Sequence, residues 1–247
     1  MRRLLPVLLW MAFPAMVFAQ LTDDQQALLD EVRESFEKAE TWQSYSQSIQ
    51  ETTTLAYTRS SETWETNVTV REILLEVDET EISGSVDFTQ SVLTSDMETM
   101  RETTAHTDFE ISEEALESAS EVEEVVTQGL PVLVDMEVLL ENVTAVYDLG
   151  VRDVRGEVVQ EYELEVDLLA SLSALNLDMN PLSDQLERGQ LLEFIAENGT
   201  LSLQVATHFE TGQLLRTEVF LDLPIETDDL VLEFSYEIIS NYYDVVD

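Results

Sequence analysis

His106 and His208 are the two imidazoles of the chain. Proton shuttling or metal ligation would have to run through them or through its carboxylates. Both histidines fall on the polar phase of alternating segments, with no second ligand or triad partner at a defined spacing, so they read as surface residues. No Gly-x-Ser-x-Gly elbow, His-Glu-x-x-His helix or phosphate-cradling glycine loop is present. Cysteine is absent, which removes disulfides, thiolate nucleophiles and cysteine-held metals. Asp and Glu together number 52, so a glycosidase-like pair is always available by counting. Abundance makes any one pair uninformative, because such catalysis needs one acid whose surroundings raise its pKa. Asp78-Glu79-Thr80-Glu81 and Asp228-Asp229 lack the alternating oxygen ligands and glycine of a calcium loop and read as acidic turns at strand ends. The expectation is a non-enzymatic chain with no metal and no cofactor.

Charge narrows the partners. Against 11 Lys and Arg the acids leave a formal charge of -41, spread over almost every segment. Nucleic acid is excluded as a partner, since phosphates call for clustered Lys and Arg, and an anionic membrane surface is disfavoured for the same reason. Dispersed like charge reads as a solubilising coat that also keeps sheet edges apart. At the start, Arg2 and Arg3, the apolar run Leu4 to Phe18, and small Val17 and Ala19 have the order of a cleaved export signal. The run is short for a spanning helix and is broken by Pro6 and Pro14. The expected arrangement is a signal peptide over 1–19 and one domain over 20–247. After cleavage the chain would be extracytoplasmic, that is secreted, periplasmic or at the cell surface, and not an integral membrane protein.

The elements that would position any site alternate in period. Thr22 and Gln25 form a capping box ahead of Leu28, Leu29, Val32, Phe36 and Ala39, predicting an amphipathic helix from about Thr22 to Glu40. A long strand is predicted from Trp42 to Tyr57. In the next run Trp64, Thr66, Val68 and Val70 put the apolar side on even positions, then Ile73, Leu75 and Val77 put it on odd ones, which predicts a bulge at Arg71 and Glu72. Ile82, Val86, Phe88 and Val92 form a third strand, and Thr103 to Ile111 a weaker fourth. Ser112 to Gln128 reads as a short acidic helix or a connection. Val132, Val134, Met136 and Val138 resume the strand alternation, followed by a strand near Val143 to Leu149. From Val158 to Leu168 greasy and acidic residues alternate without a slip, which gives a strand one apolar and one anionic face. Leu168, Leu169, Leu172 and Leu175, and then Leu186, Leu191, Leu192, Phe194 and Ile195, are spaced for helices. Three strands close the chain: Leu201 to Phe209, Leu215 to Leu223 and Leu230 to Ile238, the first two joined by a Glu210-Thr211-Gly212 turn.

The stretches Val151-Arg152-Asp153-Val154-Arg155-Gly156-Glu157, leading into Tyr162-Glu163-Leu164-Glu165-Val166-Asp167, and Leu203 to Arg216, where a strand ends in an acid, Thr and Gly turn, carry a likeness. With the leading helix, long meander, helical insertion and closing hairpin, the chain resembles the bacterial LolA-like and LppX/LprG-like superfamily of lipoprotein carriers and lipid-binding lipoproteins. The resemblance implies an α+β fold: a curved antiparallel sheet, a half-barrel meander, covered on its concave side by the N-terminal helix and the helical insertion. Several members of that group hold acyl chains between sheet and helices. Many relatives carry a lipidated cysteine directly after the signal, where this chain has Gln20, so it would be released or held by other means.

The functional question is what covers the greasy side of the sheet. Either an apolar small molecule such as a lipid or acyl chain lies between sheet and helices, or the chain packs that face fully and acts as an extracellular or cell-surface interaction protein. Under the first reading Trp42, Trp64, Phe88, Tyr162, Leu172, Leu175 and Phe234 are the candidates to line the cavity, although large sheets bury aromatics whether or not they bind anything. A protein partner is compatible with both.

Overall fold

The computed structural model describes residues 21–59, 63–78, 81–94, 100–112, 134–154, 156–175, 188–226 and 230–246. The chain starts with α1 (Asp23–Ala39) and runs through β1 (Ser44–Arg59), β2 (Thr63–Val77), β3 (Glu81–Thr94) and β4 (Met100–Ser112). Then come α2 (Met136–Glu141), β5 (Val143–Val154), β6 (Glu157–Val166), α3 (Leu168–Leu175), α4 (Arg188–Asn198), β7 (Thr200–His208), β8 (Leu214–Glu226) and β9 (Leu230–Val246). The acidic segment after Ser112 and the leader lie outside the described residues.

All nine strands join one open, curved antiparallel sheet in the order β4-β3-β2-β1-β9-β8-β7-β6-β5. Two meanders, β1 to β4 and β5 to β9, are thus stitched together by the pairing of β1 with β9. One row of cross-strand neighbours spans the sheet: Val146, Leu164, Leu203, Val219, Ile238, Glu51, Arg71, Phe88 and Ala105. Residues directly opposite one another share a face, so this row maps the inner side. Its first five members are buried and apolar, and it then turns to a charged pair.

The helices lie over the apolar, concave side, as the α+β half-barrel expectation has it. The α1 capping box closes as read: the Thr22 hydroxyl accepts from the Gln25 N–H at 3.2 Å, and the Gln25 side chain accepts from the Thr22 N–H at 3.2 Å. One stripe of α1, with Leu29 and Val32, is buried, and the helix rests mainly on β5 and β8. Each such aliphatic side chain contributes about 1.5–3 kcal/mol on burial. The α4 helix, in which Leu191 and Ile195 are buried, also packs on β8, whereas α2 packs on α3.

Two expectations are corrected. Met136 and Val138 belong to a helix, not a strand: the Asp135 carboxylate accepts from the Val138 N–H at 3.1 Å and caps α2, whose Leu139 and Leu140 are buried. An N-terminal cap offers the backbone a partner that the alternating pattern cannot outweigh over so short a run. The bulge expected at Arg71 and Glu72 is also absent, for β2 keeps an unbroken register with both β1 and β3 from Glu65 to Val77. The phase change has another cause. Trp64 to Val70 turn their apolar residues to the outer face and Ile73 to Val77 turn theirs inward. At the seam Arg71 points inward and its Nη1 donates to the Glu51 carboxylate at 2.7 Å.

Candidate functional site

The end of α1 is where helix and sheet part. Beyond the last turn of α1 the chain drops through Trp42 into β1, and Tyr45 follows three residues later. Tyr242, late in β9, stands opposite Gln47 of β1 and so joins them from the far end of the sequence. The three rings form a triangle: Trp42 to Tyr45 5.5 Å, Trp42 to Tyr242 5.7 Å and Tyr45 to Tyr242 6.2 Å between centroids, with planes inclined by 55–63°. Edge-on contacts of this kind are favourable because the positive rim of one ring meets the negative face of the next.

These rings help line a cleft of about 690 Å³, completed by Phe36 and Ala39 of α1, Met136 and Leu140 of α2, and Leu214 of β8. Its polar groups are Arg33, Glu37, Glu40, Glu137 and Glu141. The Arg33 guanidinium donates to the Leu140 carbonyl at 3.0 Å and also stands 3.9 Å from Asp30. Burial pushes the Tyr242 hydroxyl up to about 12 and raises Tyr45 as well, so both phenols stay neutral over the physiological range. The cleft can hold an apolar body against neutral aromatic walls. Among the described residues no group of three or more His, Cys, Asp or Glu is placed to hold a metal ion.

Of the seven cavity candidates named from sequence, Trp42 lines this cleft. Tyr162 is buried on the inner face of β6, and its hydroxyl donates to Glu31 of α1 at 2.9 Å. It borders a separate hollow of about 240 Å³ on another flank of α1, shared with Lys38, His208 and Phe209. Burial, and then Glu31, hold its phenol above the ordinary tyrosine range. Phe234 is buried between Leu55 of β1 and Leu223 of β8. Leu175 is fully buried and Leu172 partly so on α3. Phe88 sits on the inner face of β3 with the Arg71 guanidinium 6.0 Å from its ring centre. Trp64, at an even position of β2 opposite Thr58, is on the other face of the sheet. The seven therefore do not converge. Tyr45 and Tyr242, which do meet Trp42, were not picked out by sequence; Tyr45, three residues after Trp42, was the one local hint.

On the outer face a further hollow of about 580 Å³ is lined by Arg152, Glu161, Val159, Arg216 and Tyr243, among others. Its two arginines are paired to neighbouring acids, Arg152 to Glu161 and Arg216 to Glu218. His106 is exposed and His208 half-buried. His106 on edge strand β4 contacts Asp87 at 2.7 Å and Asp108 at 3.2 Å, and the His208 ring accepts from the Thr211 N–H in the β7–β8 turn at 3.3 Å. No helix among the described residues is long and apolar enough to cross a membrane.

No family model matches the chain, and no curated protein matches it significantly. Among solved structures, lipoprotein LppX of Mycobacterium tuberculosis is similar at 14% identity and a TM-score of 0.44, over 91% of this chain and 96% of that one. LprF from Mycobacterium bovis is similar at 8% identity and a TM-score of 0.32, over 89% and 93%. A putative outer membrane lipoprotein-sorting protein domain from Vibrio parahaemolyticus is similar at 11% identity and a TM-score of 0.25, over 88% and 91%.

Proposed function

We propose that this is an exported, non-enzymatic binding protein that holds an apolar ligand, a lipid or acyl chain, between the helices and the sheet. The observation that carries the reading is the cleft of about 690 Å³ walled by Trp42, Tyr45 and Tyr242, a size within the roughly 300–1,000 Å³ of small-molecule sites. An acyl chain gains about 0.8 kcal/mol per buried CH2, so area rather than polar contacts would supply affinity. Release by cleavage after Ala19 would leave 20–247 as one domain. Its acidic coat would keep it off anionic membranes until a protein partner receives the ligand, with nucleic acid playing no part.

A second reading has its own support. Leu164, Leu203, Leu223 and Leu232 on the inner face are at most 1% exposed, so much of that face is filled by the chain itself. That fits an extracellular or cell-surface interaction protein without a ligand. Native mass spectrometry after gentle purification separates the two. A retained lipid-sized adduct, or uptake of a fluorescent fatty acid that Trp42→Ala abolishes, is expected for the binding protein. A bare mass together with no uptake overturns it and leaves the second reading.

A further inference from the structure

The apolar walls of the α1–α2 cleft are matched by a rim of one sign. Glu37 and Glu40 stand at the end of α1 and Glu137 and Glu141 on α2, against Arg33 alone. Among the described residues none of these four glutamates has a cation within ion-pair distance, while Arg33 is already engaged by the Leu140 carbonyl and Asp30. Three electron-rich rings lie within 6.2 Å of one another at mutual angles of 55–63°. They pack on one another and also line the cleft, and a cation is attracted to an aromatic face within about 6 Å of its centre. The glutamate rim and the aromatic walls thus favour positive charge and disfavour the carboxylate of a free fatty acid.

We propose, building on the apolar-ligand reading above, that the occupant of this cleft is an amphiphile with a cationic head, a quaternary ammonium or protonated amine. Its head rests against Trp42, Tyr45 and Tyr242 within reach of the glutamate rim, and its tail lies along Phe36, Met136 and Leu140.

The test is calorimetric titration of the full mature chain, below micelle concentrations, with three amphiphiles of equal tail length. These are dodecyltrimethylammonium, the uncharged isostere dodecyldimethylamine oxide, and laurate; tetramethylammonium serves as a head without a tail. Dodecyltrimethylammonium is expected to bind with one-to-one stoichiometry and about tenfold more tightly than either other tail-bearing probe. Because the whole chain is acidic, the rim is tested against a charge-matched control. Replacing Glu37, Glu40, Glu137 and Glu141 by Gln should bring the cation down to the level of the amine oxide. Replacing the exposed Glu102, Glu110, Glu226 and Glu233 by Gln should leave the preference in place. The rim residues are themselves exposed, so the variant keeps its fold, checked by an unchanged melting curve. Equal loss in both Gln variants, equal affinity of the three amphiphiles, or equally tight binding of tetramethylammonium overturns the cationic-head assignment. If laurate and the amine oxide bind in a Trp42-dependent way and the cation binds no better, that assignment fails while the apolar-ligand reading stands. If nothing binds, both fall.

Discussion

Arg71→Met removes the partner of a carboxylate that the fold has placed on its apolar face. The Glu51 side chain is 7% exposed and the Arg71 side chain 30%, with 2.7 Å between Nη1 and Oε2. Deleting one member of a fully buried pair costs about 3–5 kcal/mol, because the other is left as an uncompensated charge. Water already reaches the Arg71 head, which reduces the expected loss to about 2–3 kcal/mol. For a chain of this size that is a fall in Tm of roughly 5–10 °C. The Tyr236 hydroxyl is buried nearby without a hydrogen-bond partner, and its pKa is held up by burial first and by the Glu51 charge second. Glu51→Gln should cost less, about 1 kcal/mol, since the stranded guanidinium can turn to solvent. The double variant Glu51→Leu with Arg71→Met puts apolar side chains on an apolar face and should lie within about 1 kcal/mol of the parent. Urea unfolding followed by far-ultraviolet circular dichroism, with the m-value checked for constancy, measures all three. If Arg71→Met is silent, or if the double variant is destabilised as much as Arg71→Met alone, the pair is not the seam of the inner face and the reasoning fails.

Gly84 of β3 faces Leu75 of β2, and a Cβ there would come within 2.0 Å of the Leu74 carbonyl oxygen; since backbone cannot yield, Gly84→Ala should cost about 1–3 kcal/mol in the same urea assay. Tyr242, raised by burial to about 12, is raised relative to its unfolded value of about 10. Its neutral form therefore stabilises the fold fully below about pH 10, and that contribution drains away as pH rises from there through about 12. Tyr242→Phe should blunt this alkaline loss of stability, and tyrosinate absorbance should show a late-titrating phenol in the parent. The Asp87 hydrogen bond first, then the charges of Asp87 and Asp108, raise His106 above its usual 6.5. Its imidazolium contact holds below that value and is lost as pH rises through the folded pKa. Asp87→Asn should therefore lower the His106 midpoint in an NMR titration without moving the melting temperature.

Contiguous residues carried most of the element order. The capping box at Thr22 and Gln25, the alternation of β6 and the leucine spacing of α3 are local properties, set by which backbone bonds and which side-chain faces neighbours in the chain can share. Where a local signal was ambiguous, the tertiary arrangement decided. Met136 and Val138 alternate like a strand, yet the Asp135 cap and the burial of Leu139 and Leu140 make the segment a helix. The phase break in β2 looked like an inserted residue because the sequence near Arg71 gives no sign of Glu51, its neighbour across the strand pair.

Amphipathic strands and helices, a large negative charge and the lack of thiol chemistry are legible in composition and period, which are visible without coordinates. Where the greasy side is filled and where it is not depends on how distant segments pack together. The pairing of β1 with β9 brings Tyr242 to Trp42 and Tyr45, and the packing of α1 and α2 encloses a cleft beside them. Contact between residues some two hundred positions apart follows from strand order, which depends on long-range pairing rather than on any property of the neighbouring sequence.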